Sequence, residues 1–483
     1  MTESITQFPL SLLELSMVVA AAALVTARWL PPAVRRPTAL TAATGVVLAG
    51  AALAVTGPRW QMVPVIAAAV LALPFALAPA LRRRAGSPSR RAPWWLALPG
   101  SALCLALIAT GPAAAWAVPV PVFPEPSGRY AVGTTVAQWT DRSRPEAATA
   151  DPDDRRTIVA QLWYPAREST AEPERAQYLG RTQAEARTVA GALADYAGLP
   201  AFVLDGLPDA RSHAVPDAPA AERGGRFPVV LFSPGLGGVR TQNTAWAEEI
   251  ASHGYVVAAL DHPYDSAAVV LADGRTLRTK VAATGDADTD ERRAAGWTAT
   301  RAADLRFALT RLTGLDRGDT PGPLTGRIDT GRAAATGHSL GGAAALLAAR
   351  QDERFTAVID IDGAPHDPAP GPYPQPVLAL TQAIGPDTDP DYIPRLTRTL
   401  NSSTATSYRL TVPGTAHLTF TDAPLYLPPL PALTGSPPRP QGPRTTAAAT
   451  LTFLDATLRE APGDPAPALS AHGDLTVHGR RTP

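Results

Sequence analysis

Cysteine is almost absent. Cys104 stands alone among 483 residues, which excludes an intrachain disulfide and any multi-thiolate metal site. Net charge is absent as well: 43 Lys and Arg balance 43 Asp and Glu. There is neither the basic excess that nucleic acid would need nor an acidic tail for a polycation. The opening segment also lacks a basic start, since no Lys or Arg precedes Arg28 and Glu3 is present, so it does not read as a secretory signal peptide.

What the first 120 residues have instead is apolar sequence, with charge confined to short arginine-bearing breaks. Four stretches, 10–27, 38–57, 62–81 and 94–118, approach the roughly 20 apolar residues that span a bilayer. Glu14 falls near the end of the first, and Pro64, Pro74 and Pro79 are candidate kinks in the third. No pair of charges is legible inside the spans, so an anchor is expected rather than a channel or transporter. Arg28, Arg35 and Arg36 follow the first span; Arg82, Arg83, Arg84, Arg90 and Arg91 follow the third; the intervening break has only Arg59. The positive-inside rule then puts both termini, and everything after about residue 120, outside the cytoplasm. The expected organisation is a four-helix transmembrane region over 1–120, a globular domain over 121–460 and a flexible tail over 461–483.

Beyond residue 129, short β-branched runs alternate with helical sequence. Runs 129–141 and 157–166 suggest an antiparallel opening pair. Runs 227–233, 255–261, 332–337, 355–361, 376–382 and 407–412 are continuously apolar, as strands covered on both faces must be. Helices are expected near 242–253, 295–314, 340–351, 390–400 and 445–459. This alternation predicts a doubly wound, mostly parallel α/β sheet. Two polar insertions, 168–225 and 263–294, are either surface loops or a lid.

The chemistry centres on "TGHSLGG". Gly337, Ser339 and Gly341 make a G-x-S-x-G pattern between an apolar strand and an alanine-rich helix. That is the context of a nucleophile elbow, where the turn is so tight that the residues two before and two after must lack a Cβ. Of the histidines after Ser339, His366 lies too near the next strand end, and His472 and His478 lie in the tail. His417, in the loop after the last apolar strand, is the expected base. The order Ser, acid, His is the one α/β-hydrolases use. For the acid, Asp362 closes the strand after the nucleophile helix, where catalytic groups collect, and Asp387 is its rival. The "DTDPD" run around Asp387 does not make an EF-hand, since Tyr392 and Arg398 occupy the places that need Gly and Glu. No metal and no cofactor are expected. The oxyanion hole needs two backbone N–H groups: Leu340, directly after the serine, and Leu236 in the "PGLGG" loop. That loop has neither the Walker lysine nor the third glycine of a dinucleotide fingerprint.

Together "LWYPA", "LFSPGLGG", "LDHPYD", "TGHSLGG", "DIDGAP" and "GTAHLTFTD" resemble the α/β-hydrolases of the plasma-type platelet-activating-factor acetylhydrolase family over about 129–460. More distantly, the chain is similar to bacterial cutinase-like polyester hydrolases. The first resemblance implies an α/β-hydrolase fold and metal-free hydrolysis of short or oxidised acyl esters. Its nucleophile is Ser339, its acid Asp362, its base His417, and its oxyanion donors are Leu236 and Leu340. The second implies an acid nearer Asp387. The four spans and the long insertions depart from both patterns. The expected partners are therefore a small-molecule or lipid ester and the membrane, and no nucleic acid. The rival readings are acyl transfer or polyester hydrolysis on the same triad, and a non-catalytic module tethered to the membrane.

Overall fold

The computed structural model of the chain describes residues 10–84, 93–168, 173–282, 284–366, 371–385 and 388–479. It divides into two compact units, residues 1–120 and 121–483.

Among the described residues of the first unit are four α-helices: α1 (Leu12–Thr26), α2 (Pro32–Thr56), α3 (Val63–Arg84) and α4 (Trp94–Ala117). All four are long and apolar enough to cross a membrane by length and composition. Met17, Ala21, Val46, Val65 and Ile108 fill the space between them, while Leu48, Val55, Phe75 and Leu103 point outward and are exposed. A bundle that is apolar outside as well as inside is suited to a lipid surround. Two details differ from expectation. Helix α2 starts six residues before 38, with Pro31 as its N-cap, so Arg35 rides on the helix and hydrogen-bonds back to the Leu30 carbonyl at 2.7 and 3.0 Å. Glu14 is not solitary. Its carboxylate receives both forks of Arg59 at 2.6 and 2.7 Å and closes a capping box with Ser11 at the start of α1. This charge pair, at the helix ends, could not be read from residues 45 apart.

The second unit is built on the strands β1 (Ala131–Pro145), β2 (Arg155–Ala166), β3 (Val215–Pro216), β4 (Phe227–Ser233), β5 (Val256–Asp261), β6 (Ala268–Val270), β7 (Thr276–Arg278), β8 (Ile328–His338), β9 (Phe355–Ile361), β10 (Val377–Thr381), β11 (Ser407–Thr411) and β12 (Asp474–His478). Its helices are α5 (Gln183–Tyr196), α6 (Thr244–Ser252), α7 (Ala287–Arg317), α8 (Leu340–Gln351), α9 (Tyr392–Asn401), α10 (Pro431–Thr434), α11 (Gln441–Leu458) and α12 (Ala466–Ser470). Ten strands form one sheet in the order β12-β11-β10-β9-β8-β4-β5-β2-β1-β3. The centre, β5 through β11, is parallel, and antiparallel β1, β2 and β12 flank it.

Helices cover both faces. Leu305, Leu309 and Leu312 of α7 and Leu346 of α8 pack on one side with Val229, Leu231 and Val358. Trp246 and Ile250 of α6 and Phe453 and Leu454 of α11 pack on the other with Val230, Phe232 and Ile359. Alternate residues of each strand thus feed opposite cores, which is why the strand sequence is apolar throughout. This is the architecture of an α/β-hydrolase.

The C-terminal segment corrects the expectation of a loose tail from 461. Residues 466–470 form α12, and β12 pairs antiparallel with β11 from Ser407↔His478 to Thr411↔Asp474. The unpaired edge of β11 is a template for one more strand, and His478 Nδ1 anchors it to Asn401 at 2.8 Å. The insertions are structured too. Residues 168–225 carry α5, and 263–294 carry the β6–β7 hairpin and the first turns of α7.

Candidate active site

At the carboxyl end of β8 the chain reverses into α8 through Ser339, whose backbone lies at φ 56° and ψ −125°. That left-handed conformation is costly for a residue with a Cβ. It is stabilised by the Ser339 N–H donating to the Ile361 carbonyl at 2.9 Å and by its own carbonyl accepting from Gly342 at 2.9 Å. A Cβ on Gly337 would collide with the Gly341 carbonyl, and one on Gly341 with the Ser233 carbonyl. The two glycines are there because three stretches of backbone meet with no room for a side chain.

His417 opens a 3₁₀ turn, His417–Phe420, just after β11. Thr419 pins the turn: its hydroxyl accepts from the Ala416 N–H at 2.8 Å and donates to the Thr434 carbonyl at 2.9 Å. Asn243 donates to the Phe420 carbonyl at 2.7 Å. The imidazole, 42% exposed, places Nδ1 2.6 Å from Oδ2 of Asp362. The other carboxylate oxygen, Oδ1, accepts from the Gln382 N–H at 2.9 Å and the Tyr392 hydroxyl at 3.1 Å. Burial, with the nearby carboxylates, pushes the Tyr392 phenol well above its usual range, so it remains a donor.

Asp360, two residues before Asp362, is fully buried, and burial raises its carboxyl well above the ordinary range. It accepts from the Gly363 N–H at 3.0 Å. Asp387 lies outside the described residues. Its neighbour Asp389 is ion-paired with Arg395 at 3.0 Å.

Ser339, Leu340, Leu236, Asp362 and His417 all line one cavity of about 890 Å³. Leu340 begins α8, so its N–H is one of those the helix itself leaves unbonded. On the Leu236 side, Arg301 of α7 is wholly buried between Asp265, at 2.6 Å, and the carbonyls of Pro234 and Gly235. A trans peptide carries its C=O and N–H on opposite sides. Turning the Gly235 carbonyl onto Arg301 therefore turns the Leu236 N–H away from it. The rest of the cavity wall includes Glu291, Trp297 and Arg395, so part of the 263–294 insertion does border the site.

Several of these residues escape sequence reasoning. Asp265 belongs to "LDHPYD", but Arg301 looks like an ordinary polar position on a helix. A second Ser, His and Asp set also occurs: His262 Nε2 lies 2.9 Å from the Ser233 hydroxyl, and its Nδ1 2.8 Å from Asp304. All three side chains are fully buried, and burial holds His262 below the usual histidine range. No ester can reach them. Arg156 of β2 completes the group by pairing with Asp304 at 2.6 Å, which leaves it a structural tie between β2, β4, α7 and the residue that follows β5.

The family described as platelet-activating factor acetylhydrolase, isoform II, matches residues 119–432. A platelet-activating factor acetylhydrolase of Cavia porcellus is 30% identical over 156 residues, covering 29% of this chain and 35% of that protein. A probable 1-alkyl-2-acetylglycerophosphocholine esterase of Arthroderma benhamiae is 30% identical over 139 residues, 28% of this chain and 31% of that protein. The chain thus spans about a third of the length of these curated relatives. Among solved structures, a ferulic acid esterase from Streptomyces cinnamoneus is similar at 30% identity and a TM-score of 0.58, covering 74% of this chain and 98% of that one.

Proposed function

Because the chain belongs to the platelet-activating factor acetylhydrolase, isoform II, family, we propose that it is a membrane-anchored serine hydrolase of carboxylic esters, acting on short-chain or phospholipid-type acyl esters. The observation that carries this reading is the 2.6 Å bond between His417 Nδ1 and Asp362 Oδ2, made at the wall of a cavity that Ser339 also lines. Asp362 holds the imidazole with Nδ1 protonated, which leaves the Nε2 lone pair free to accept a proton. His417 takes the Ser339 hydroxyl proton as Oγ attacks the ester carbonyl. The negative oxygen of the tetrahedral intermediate is held by the N–H groups of Leu236 and Leu340. Collapse breaks the acyl–oxygen bond, and His417 returns its proton to the departing alcohol. Water, deprotonated by the same imidazole, then releases the acid and restores Ser339. No metal or cofactor takes part in this scheme.

A fluorophosphonate probe is expected to modify the purified chain at Ser339, found by peptide mass analysis. The same chain is expected to cleave p-nitrophenyl acetate faster than the palmitate ester. Absence of labelling refutes the reading. A second reading, hydrolysis of feruloyl esters, is favoured by the likeness to the ferulic acid esterase, which that structure shares over nearly its whole length. Methyl ferulate turned over faster than p-nitrophenyl acetate selects it.

The anchoring half of the proposal is supported by α1 to α4, whose outward faces stay apolar, and by the arginines gathered in the first and third breaks. A reporter active only outside the cytoplasm, fused after residue 120, is expected to be active. An inactive fusion reverses the orientation.

A further inference from the structure

A chain of three side-chain hydrogen bonds crosses the site from the oxyanion loop to the base, through residues that take no part in the scheme above. The Gly235 N–H donates to Gln242 Oε1 at 3.0 Å. Gln242 Nε2 lies 2.9 Å from His338 Nδ1, and His338 Nε2 lies 3.0 Å from the backbone carbonyl of His417. The two ends fix the sense of every bond. A backbone N–H only donates, so the Gln242 oxygen accepts and its amide nitrogen donates. His338 Nδ1 must then carry a lone pair, and a neutral imidazole so arranged has its hydrogen on Nε2, facing a carbonyl that only accepts.

His338 is buried, and burial, reinforced by neighbouring His417, holds its ring well below the usual histidine range. The ring stays neutral, as the relay requires. It also packs on the His417 ring, with centroids 4.5 Å apart, and immediately precedes Ser339. Gln242 is itself secured through its backbone, whose N–H donates to Val239 at 2.8 Å and whose carbonyl accepts from Asp422 at 3.0 Å.

We propose that Gln242 and His338 are positioning residues: their hydrogen-bond relay sets the Leu236 end of the oxyanion hole and the His417 turn at a fixed spacing about Ser339. The inference rests on the esterase reading given above. A relay of this kind acts on the alignment of reacting groups rather than on binding, so it belongs to kcat.

Two substitutions test it on the full-length chain. Gln242→Leu keeps the length and removes both hydrogen-bonding functions. Its kcat for p-nitrophenyl acetate is expected to fall about 10- to 100-fold with KM within about threefold. Gln242→Glu is the discriminating variant. A protonated carboxyl has one acceptor and one donor, as the amide does, whereas a carboxylate has no hydrogen to give His338. The variant is therefore expected to work best at low pH and to lose rate as pH rises, a descending limb that the parent's kcat profile lacks.

The titratable and charged groups packed around this position are the His417 and Asp362 pair, Arg301 with Asp265 beneath the loop, Arg240 of the same loop with Asp261 and Glu185, and Asp422, which accepts from the first N–H groups of α6 and whose carboxyl burial raises well above the usual range. Rates within twofold of the parent in both variants overturn the proposal. Equal losses in both variants without a new pH limb also overturn it, since a packing role alone predicts that result. So does loss of a cooperative thermal transition in both, which would make Gln242 a folding residue. Survival of turnover in a Ser339→Ala chain would instead refute the esterase reading itself, so the two failures are distinguishable.

Discussion

With alanine in place of Ser339, hydrolysis of p-nitrophenyl acetate is expected to fall by about four orders of magnitude or more. The substitution removes one hydroxyl and leaves its setting alone. Alanine has the same Cβ as serine, so it meets the same strain at φ 56°, and the hydrogen bonds that hold the turn are made by the backbone of residue 339. The fold should therefore be unchanged, and the parent's thermal transition serves as the control. On the proposed mechanism the loss is not total, because oxyanion donors at Leu236 and Leu340 would still favour attack by water, a residue of catalysis worth roughly a thousandfold over the uncatalysed reaction. A variant keeping more than about one part in a hundred of the parent rate would mean that the acyl group never passes through Ser339.

How much of this could be read from the chain alone depends on how local each cause is. The elbow is legible because its residue pattern is local, a serine with Gly337 two before it and Gly341 two after, although the Ser233 carbonyl that a Cβ on Gly341 would strike lies far away in the chain. The apolar strands are legible too, since a strand buried on both faces has few places for a polar side chain. His417 can be picked out by its place after β11, because the parallel sheet brings successive strand ends to one edge.

The supports of the site are not legible. Arg301 reaches carbonyls 66 and 67 residues away, and the Gln242 relay ties positions 235, 242, 338 and 417 together. No periodicity marks such contacts. Strand β12 is not legible for a related reason: a five-residue edge strand between Gly473 and Gly479 has little pattern of its own and is stabilised by the partner it finds. Helix α7 begins eight residues before the expected start at 295, at Ala287, where the Asp286 side chain caps the Thr289 N–H at 2.8 Å. That polar start resembles loop sequence until the cap is seen.

The choice between Asp362 and Asp387 as the acid also becomes a sharp test, because the surroundings of Asp362 dictate what asparagine would do there. Its Oδ1 accepts from two groups that only donate in this setting, the Gln382 N–H and the Tyr392 hydroxyl. In an Asp362→Asn chain the amide oxygen must take that place, which leaves the NH₂ group facing His417 Nδ1. An NH₂ can only donate, so His417 Nδ1 must present its lone pair and the ring hydrogen moves to Nε2. The nitrogen that should accept the Ser339 proton then already carries one. Steric change is negligible and the hydrogen bonds are still made, yet the base has the wrong tautomer. A loss of about 10³- to 10⁴-fold in kcat/KM follows, with little change in KM. Asp387→Asn is expected to stay within about threefold of the parent. If the larger loss falls on Asp387, the carboxylate that orients His417 during turnover comes from the loop after β10, and the 2.6 Å contact with Asp362 describes a resting arrangement only.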